Sequence, residues 1–457
     1  MEKTTYISYD PYNQKENGRF DCFDESQISD IISLLNSGWQ RWRLTSSVEK
    51  IELLKLLGNL LIMEKKKHAE IITSEMGKPV SQAMAEIEKC AALCFYYGEH
   101  LEEFSSPEKR LSYASESYVR YEPQGIILGI MPWNFPYWQA MRFIVPVIAG
   151  GNAVLLKHAS NVPVCAQNIE RIIREAGFPE DIFRNIFADY SQIENIIARP
   201  EVRGVSLTGS NSAGKRIAEI AGRNLKKSVL ELGGSDPFII MSDADLYAAA
   251  EAVVFSRYQN CGQSCIAAKR LFVHVSVFDS FLSVLAEKVR NLRCGDPNDP
   301  DTFIGPMVNE NALKELHRQV IKTLSTGASA ITGGSRYSSD KPIYNPTILT
   351  GVPDDSPLVC EEVFGPVIPV MKFSDTEDVI RRANNSLYGL GASIWTRDKS
   401  LAMKIASKID SGTIAINGFV RSDPALPFGG VKESGYGREL SVEGFREFLN
   451  IKTVSFF

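Results

Sequence analysis

The amino-acid sequence predicts an α/β protein whose strands form parallel sheets covered by helices. Short apolar segments alternate with amphipathic ones between residues 123 and 232, and a second series of the same kind runs from residue 237 to about residue 420. This alternation is typical of parallel sheets, which bind ligands at the carboxyl ends of their strands. The chain has 457 residues, 44% of them hydrophobic, so it can bury large cores in about two or three domains.

Hydrophobic periodicity predicts the individual elements. Residues 26–105 have apolar side chains at helical spacing and are predicted to be mainly helical, whereas residues 106–122 alternate and predict an extended ribbon. The first α/β series predicts strands at 126–130, 153–156, 182–187, 205–207 and 228–231, and helices at 164–176 and 213–221. The second series predicts strands at 237–240 and 271–275 and helices at 243–258 and 278–293, with a last strand at 450–457.

Composition and charge argue against several classes of protein. The net charge is −5 and no basic cluster is interleaved with aromatic residues, so we expect no nucleic-acid partner. The N-terminus lacks the apolar core of a signal peptide and no apolar run approaches membrane-spanning length, so we expect no membrane partner. The eight cysteines are scattered without a disulfide framework, which suits a reducing cytoplasm. No histidine has ligand spacing to the cysteine pairs, so no metal is expected.

A candidate nucleophile lies in the segment from Tyr258 to Arg270, which contains Cys261 and Cys265. The segment follows an apolar helical run, and its polar residues and glycine predict an element end where a thiol can be reached by a substrate. The alternative is that both cysteines are small core residues, since free cysteine is among the most buried residue types. If the two thiols approach each other, a reversible disulfide could switch the site off under oxidation.

Two further polar residues stand at the ends of predicted strands. Glu231 ends an apolar strand and precedes two glycines, and burial there would raise its pKa and suit it to act as a general base. Asn134 follows another strand between two prolines, where a rigid amide could donate to a developing oxyanion. The alternatives are a surface glutamate at a strand end and a structural turn asparagine.

A glycine turn at 209–216 joins a strand to a helix. Ser210 is placed to cap that helix, whose free backbone N–H groups could bind a phosphate. The spacing of Gly209, Gly214 and Lys215 comes close to a P-loop, but Arg216 stands where Ser or Thr would bind Mg²⁺. A P-loop ATPase or kinase and an ordinary capped helix are therefore the alternatives to a dinucleotide site.

Taken together, these motifs resemble those of the NAD(P)-dependent aldehyde dehydrogenase superfamily. They occur in that family's order as Pro132-Trp-Asn-Phe-Pro136, Thr208-Gly-Ser210, Glu231-Leu-Gly-Gly234, Gly262-Gln-Ser-Cys265, Glu361-Glu-Val-Phe-Gly-Pro366 and Pro427-Phe-Gly-Gly-Val-Lys-Glu-Ser-Gly435. The resemblance implies an aldehyde dehydrogenase-like fold and a homodimer or homotetramer. It divides the chain into a Rossmann-type cofactor-binding domain (1–105 and 123–232), an α/β catalytic domain (233–425) and a small β oligomerisation ribbon (106–122 and 436–457).

The resemblance also implies a mechanism. Cys265 attacks the aldehyde carbon, and Asn134 and the backbone N–H of Cys265 hold the oxyanion. Loss of a hydride to the nicotinamide leaves a thioester, from which a thiolate departs readily. Glu231 then activates water, which favours hydrolysis over acyl transfer to coenzyme A. The presence of all three residues argues against a non-catalytic member of the fold.

Cofactor residues follow from the same resemblance. It places Gly209 and Ser210 at the pyrophosphate and Lys157 at the adenosine ribose. It places Glu362 at the nicotinamide ribose, Phe364 against the nicotinamide ring and Trp133 in the wall of the cofactor cleft. NAD-preferring members usually carry a glutamate three residues after that lysine, whereas this chain has Ser160. A hydroxyl and an ammonium can bind a 2′-phosphate that a carboxylate would repel. We therefore predict that NADP⁺ is accepted and preferred over NAD⁺.

Within the superfamily, the resemblance is closest to the succinate-semialdehyde dehydrogenases. Arg142 and Ser422 fall at two positions that resemble carboxylate-binding residues of those enzymes. The third position, usually an arginine, is Gln259, which removes a charge-assisted hydrogen bond. The substrate is therefore predicted to be succinate semialdehyde, with another small aliphatic aldehyde as the alternative. The alternative for Arg142 is an ion pair on a helix surface.

Overall fold

The computed structural model describes residues 4–457. The prediction that the N-terminus is not a signal peptide rests partly on residues 1–3, which lie outside the described residues. The N-terminal region starts with two paired strands and continues as a helical block. These elements are β1 (Thr5–Tyr9), β2 (Glu16–Asp21), α1 (Glu25–Trp42), α2 (Ser47–Met63), α3 (Lys65–Met76) and α4 (Val80–Ser105). The helical prediction for residues 26–105 is confirmed, whereas the two strands before it were not predicted.

A ribbon and the first α/β series follow. Their elements are β3 (Glu108–Lys109), β4 (Glu116–Pro123), β5 (Ile126–Met131), α5 (Pro136–Ala149), β6 (Ala153–His158), α6 (Pro163–Glu175), β7 (Phe183–Asn185), α7 (Ile193–Ala198), β8 (Val202–Thr208), α8 (Asn211–Arg223) and β9 (Lys227–Glu231). Every residue of β5 and β6 is buried, as expected for strands covered by helices on both faces. The predicted strands and helices are each found within a few residues of their expected positions.

The second α/β series runs from Asp236 to Ile416. It contains β10 (Asp236–Ile240), α9 (Leu246–Tyr258), a 3₁₀ turn (Gln259–Gly262), β11 (Ala268–His274), α10 (Phe278–Arg290), α11 (Glu310–Leu324), β12 (Ser329–Thr332), β13 (Thr347–Thr350), α12 (Pro357–Cys360), β14 (Val367–Phe373), α13 (Thr376–Asn384), β15 (Tyr388–Gly389), β16 (Gly391–Trp395), α14 (Lys399–Ala406) and β17 (Thr413–Ile416). The chain ends with β18 (Val431–Lys432), β19 (Gly435–Tyr436), α15 (Ser441–Arg446) and β20 (Leu449–Phe456).

Two mainly parallel sheets organise these elements. The first has six strands in the order β19-β9-β8-β5-β6-β7, with β19 antiparallel to β9. The second has seven strands in the order β12-β13-β14-β11-β10-β16-β17, with β12 antiparallel to β13. Each sheet contributes to a hydrophobic core of its own, which agrees with the predicted α/β fold. Among residues 4–457, no helix is long and apolar enough to cross a membrane.

The ribbon forms a third sheet in the order β20-β4-β3, in which both strand pairs are antiparallel. Residues 106–122 and the C-terminal strand, the two segments expected to serve in oligomerisation, pair with each other within the chain. Of the segment 436–457, β19 belongs to the first sheet, so the ribbon receives only β20. β20 pairs with β4 along its full length, because β4 offers it a hydrogen-bonding edge.

Candidate active site

The chain reverses sharply just before Cys265. Helix α9 ends at Tyr258, and Asn260 and Cys261 in the following 3₁₀ turn have positive φ angles of 51° and 55°. Gly262 also has a positive φ of 71°, and a Cβ there would lie 2.3 Å from the carbonyl oxygen of Gly365. The turn therefore requires glycine at position 262, and it brings the thiol segment against the loop that contains Glu362.

The Cys265 side chain lies on the wall between two cavities. One has a volume of about 470 Å³ and is called here the Arg142 cavity, since Arg142 lines it together with Cys265. The other has a volume of about 220 Å³ and is called the Glu362 cavity, since Glu362 lines it together with Cys265. A nucleophile in this position can be approached by two different molecules, one from each cavity.

The Glu362 cavity lies where the two sheets meet. Trp133 follows β5 and Gly209 follows β8, both at carboxyl ends of the first sheet, as expected for a ligand site in a parallel sheet. Cys265 and Glu362 come instead from loops that precede strands of the second sheet. The site therefore depends on residues from both sheets.

Most of the predicted cofactor residues line the Glu362 cavity together. They are Trp133, Gly209, Ser210, Glu362 and Phe364. The rings of Trp133 and Phe364 meet edge-on with centroids 5.8 Å apart, and the Ser210 hydroxyl accepts a hydrogen bond from the backbone N–H of Ala213 at the start of α8. Such a capped helix start, next to a glycine turn, suits a pyrophosphate.

Gly233 and Gly234 allow the backbone after β9 to approach the carboxylate of Glu362 closely. A Cβ at Gly233 would lie 2.5 Å from Oε2 of Glu362, and the backbone N–H of Gly234 donates to Oε1 of Glu362 at 3.0 Å. The ammonium group of Lys269 also donates to this carboxylate and to the carbonyl oxygen of Cys265, the latter at 3.1 Å. These contacts hold an acceptor for ribose hydroxyls at the cavity wall, so the residues fit a dinucleotide.

Lys157 and Ser160 lie outside the Glu362 cavity, at the end of the neighbouring strand β6. The Lys157 side chain is buried, and its ammonium nitrogen lies 4.7 Å from the centroid of the Tyr190 ring and 5.7 Å from that of Tyr6. Burial lowers the pKa of Lys157 to about 8. Ser160 is exposed in the following turn. The structure thus places Lys157 within the last residues of a strand adjacent to β5 and Ser160 just beyond the carboxyl end of that strand.

Burial controls the protonation of the Cys265 thiol. It raises the pKa of Cys265 to about 12, and the positive charges of Lys269 and Arg142 only partly oppose this effect. A thiol with a raised pKa has to lose its proton before it acts as a nucleophile. Cys265 is partly buried and packs against the core of the first sheet, an environment that sequence spacing does not reveal.

Glu231 is buried at the end of β9, and within residues 4–457 neither of its carboxylate oxygens has a hydrogen-bond partner. Burial raises its pKa well above the usual range, with Arg142 as the main opposing charge. A Cβ at Gly429 would lie 2.9 Å from Oε1 of Glu231, and Glu231 lines neither cavity. A buried carboxyl without partners is unfavourable for stability and is characteristic of functional sites.

Asn134 is buried and lines the Glu362 cavity beside Cys265. Its side-chain amide donates to the backbone carbonyl oxygen of Gln263 at 3.1 Å, and the backbone carbonyl oxygen of Asn134 accepts from the side-chain amide of Asn260 at 2.7 Å. The amide therefore has a fixed orientation, and one of its two N–H groups remains for a ligand.

The three predicted substrate residues, Arg142, Gln259 and Ser422, all line the Arg142 cavity. Arg142 is buried on α5 and forms an ion pair with Glu439, and its guanidinium carbon lies 4.8 Å from the centroid of the Phe428 ring. The alternative prediction for Arg142, an ion pair on a helix surface, is correct about the ion pair but wrong about its location, because Arg142 is buried. All residues of α5 are buried, because the helix is covered on every side.

Sequence reasoning missed two lysines at the site. Lys89 on α4 lines the Arg142 cavity, and Lys269 on β11 contacts Glu362. Lys269 had a signal, since it stands four residues after the thiol and directly before the predicted apolar strand 271–275, where a lysine is rarely buried without a partner. Lys89 had almost none, because neighbouring glutamates make its segment resemble a solvated helix face.

Two alternatives lose their geometric basis. Cys261 packs in the core of the second sheet and its thiol donates to the carbonyl oxygen of Gly305 at 3.2 Å, whereas Cys265 packs against the other core. Lys215 is 67% exposed and pairs with Glu433 at 2.9 Å, so it faces away from the Glu362 cavity. The structure brings together neither the two thiols nor the elements of a P-loop.

Comparison with known proteins identifies the family. The sequence model described as the aldehyde dehydrogenase family matches residues 1–454. The chain belongs to the aldehyde dehydrogenase family. Family membership excludes the ATPase and kinase alternative and makes the chain an aldehyde-oxidising enzyme.

Relatives of this aldehyde dehydrogenase extend over almost the whole chain. Succinate-semialdehyde dehydrogenase [NADP(+)] 1 of Mycobacterium tuberculosis is 42% identical over 438 residues, covering 95% of this chain and 96% of the relative. Succinate semialdehyde dehydrogenase [NAD(P)+] of Escherichia coli is 41% identical over 451 residues, covering 99% and 98%. The crystal structure of succinic semialdehyde dehydrogenase from Streptococcus pyogenes with NADP⁺ is 37% identical, with a TM-score of 0.96 and coverage of 98% and 99%.

Proposed function

We propose that this aldehyde dehydrogenase oxidises succinate semialdehyde to succinate with NADP⁺ as the oxidant. The observation that supports the proposal most directly is the position of Cys265 between two cavities. One cavity combines the features of a dinucleotide site, and the other contains cationic and hydroxyl groups that suit a carboxylate. The relatives in Mycobacterium tuberculosis and Escherichia coli, named for the same substrate, support the same choice.

In the proposed reaction, the Cys265 sulfur gives its proton to solvent and forms a bond to the aldehyde carbon as the carbon–oxygen π bond opens. The former carbonyl oxygen becomes an oxyanion, which accepts hydrogen bonds from the Asn134 amide and the backbone N–H of Cys265. The remote carboxylate lies in the Arg142 cavity. This arrangement holds the reacting carbon at the boundary of the two cavities.

Bound NADP⁺ supplies the hydride acceptor that allows the sulfur adduct to become a thioester. Glu362, Phe364, Trp133 and the start of α8 would hold the dinucleotide at the nicotinamide and pyrophosphate. Glu231, with its raised pKa, takes a proton from water, and the resulting hydroxide attacks the thioester carbon. The carbon–sulfur bond breaks, the departing sulfur takes back the proton held by Glu231, and the acid product loses its own proton to solvent and leaves as succinate.

Lys157 and Ser160 support the preference for NADP⁺. An ammonium and a hydroxyl at the end of β6 can both donate hydrogen bonds to a 2′-phosphate. The crystal structure of the Streptococcus pyogenes relative contains NADP⁺, and the Mycobacterium tuberculosis relative is named for it. We propose that NAD⁺ is a poorer substrate because it lacks the group that these two residues would bind.

A panel of aldehydes crossed with NADP⁺ and NAD⁺ tests the function. We expect the highest kcat/KM for succinate semialdehyde with NADP⁺, followed in absorbance at the nicotinamide band. Butanal, a four-carbon aldehyde with a methyl group in place of the carboxylate, is the matched control substrate. Equal kcat/KM values for the two aldehydes would show that the enzyme acts on simple aliphatic aldehydes.

The assembly and location of the enzyme are also proposals. We infer a homodimer or homotetramer held together through the free edge of β20, because that strand exposes Ile451 and Phe456 to solvent. We infer a cytoplasmic location, which is supported by eight free cysteines, a pattern that suits a reducing compartment.

A further inference from the structure

The Arg142 cavity contains fewer available positive charges than its lining suggests. Arg142 already forms an ion pair with Glu439, although its Nη2 has no hydrogen-bond partner among residues 4–457. Gln259 is uncharged, and the exposed Arg421 lies with its guanidinium carbon 4.0 Å from the centroid of the Phe419 ring. Of these two arginines, one shares its charge with a carboxylate and the other is exposed to solvent, so a half-buried cation without a carboxylate partner would strengthen the binding of a substrate carboxylate.

Lys89 is a cation without a carboxylate partner. It is half-buried on α4, on the face that also presents Gln82, Ala85 and Glu86 to the cavity. Its ammonium lies 4.0 Å from the centroid of the Trp138 ring and donates to the hydroxyl oxygen of Ser422 at 2.6 Å. Among the described residues, no carboxylate oxygen lies within ion-pair distance of Lys89.

The acidic residues near Lys89 are occupied elsewhere. Glu86 pairs with Lys78 and accepts hydrogen bonds from two backbone N–H groups at the start of α5, each at 2.9 Å. Glu88, the sequence neighbour of Lys89, pairs with Lys65 on the other side of the helix. Asp423 is exposed and accepts from the backbone N–H of Ala425. The charge of Lys89 thus remains available to a ligand.

We propose that Lys89, together with the Ser422 hydroxyl, binds the remote carboxylate of the substrate and compensates for the missing arginine at position 259. This inference rests on the proposed oxidation of succinate semialdehyde and names the residue that selects for the carboxylate. Ser422 accepts a hydrogen bond from Lys89, so its own O–H is free to donate to a carboxylate oxygen. An ammonium and a hydroxyl side by side form a clamp for the two oxygens of that group.

The electrostatics of Lys89 agree with this geometry. Burial lowers the pKa of Lys89 to about 8, and the positive charge of Arg142 adds to this effect, whereas Cys90, Glu86 and Asp423 oppose it. A bound carboxylate would stabilise the ammonium form. The charged form of Lys89 is therefore disfavoured by burial when no anion is bound and would be favoured when one is bound.

Lys89→Met tests the proposal by separating charged from uncharged substrates. We expect the KM for succinate semialdehyde to rise about 10- to 100-fold, the loss expected for one charge-assisted hydrogen bond, while the KM for butanal stays unchanged. Lys89→Arg should retain most of the affinity for the semialdehyde. Ser422→Ala should raise the same KM by a smaller factor, because it removes a neutral hydrogen bond.

The controls distinguish a positioning role from a structural one. Lys66→Met removes a solvent-exposed lysine on α3 and should leave both KM values unchanged.

If Lys89→Met raises the KM for both aldehydes equally, Lys89 only supports the fold and the inference is overturned. If wild-type enzyme prefers succinate semialdehyde and Lys89→Met keeps that preference, the inference fails while the proposed function stands. If the wild type shows no preference for the semialdehyde, the proposed function itself fails.

Discussion

Burial determines the chemistry of the individual residues at this site. Cys265 and Glu231 both have raised pKa values because the polypeptide removes them from water, and each is opposed by the positive charge of Arg142. Arg142 and its partner Glu439 therefore form an electrostatic link between the nucleophile and the proposed base. A raised pKa favours the less reactive protonated form of the thiol, so the proton has to leave before the sulfur attacks the aldehyde.

Cofactor preference is predicted to depend on one side chain. Ser160→Glu places a carboxylate three residues after Lys157, where it can bind ribose hydroxyls and repel a 2′-phosphate. We expect the ratio of kcat/KM for NADP⁺ to that for NAD⁺ to fall about 100-fold or more, as measured in steady-state kinetics. Ser160→Ala is the matched control and should lower the ratio only slightly. An unchanged ratio in Ser160→Glu would show that the 2′-phosphate binds elsewhere.

At the scale of elements, the position of the site depends on buried polar contacts between helices. Glu86 on α4 accepts hydrogen bonds from the backbone N–H groups of Tyr137 and Trp138 in the first turn of α5, and it pairs with the fully buried Lys78. A carboxylate at this end of a helix satisfies backbone donors and interacts favourably with the helix dipole. The pair thus holds α5, and with it Arg142, against the cavity.

Removing one partner of this pair should destabilise the protein strongly. Lys78→Met leaves the carboxylate of Glu86 buried without its counter-ion, at a cost of about 3–5 kcal/mol in the free energy of unfolding. Thermal unfolding followed by circular dichroism should show a clearly lower midpoint. Lys66→Met, which breaks the exposed pair with Glu70, should cost less than about 1 kcal/mol. Equal midpoints for the two variants would contradict the role of the buried pair.

The sequence predicts most elements because their periodicity is local. Strands such as β5 and helices such as α8 were expected within a few residues, since apolar runs and a Ser210 cap can be read along the chain. Residues brought in from distant segments could not be predicted. Lys89 reaches Ser422 across 333 positions, and nothing near either residue indicates that contact. The orientation of Cys261 away from Cys265 likewise depends on a left-handed turn that spacing does not encode.

At the scale of the whole molecule, the ribbon has a long edge strand, β20, whose outer edge pairs with no other strand among residues 4–457. β20 pairs with β4 on one side only, and its exposed residues include Ile451, which is 67% accessible to solvent. Long exposed edges with apolar side chains favour association with another chain. The proposed homo-oligomer would therefore use this edge.

Charge on β20 should weaken the proposed assembly. Ile451→Lys adds a positive charge to the free edge, and we expect a larger fraction of monomer in size-exclusion chromatography with light scattering. Leu44→Lys, at a position 81% exposed between α1 and α2, is the matched control and should leave the assembly unchanged. If Ile451→Lys elutes like the wild type, the subunits associate through another surface.

In the proposed reaction, the acyl group of the substrate is bound covalently to the Cys265 sulfur before water releases it as an acid. Glu231→Gln removes the proposed base and should slow release of the acyl group by about 10²- to 10⁴-fold, so that the acylated enzyme accumulates. The decisive measurement is peptide mass spectrometry of Glu231→Gln quenched after mixing with succinate semialdehyde and NADP⁺. We expect one burst of NADPH per active site and a succinyl group on Cys265. NADPH formation with Cys265 unmodified would contradict the account.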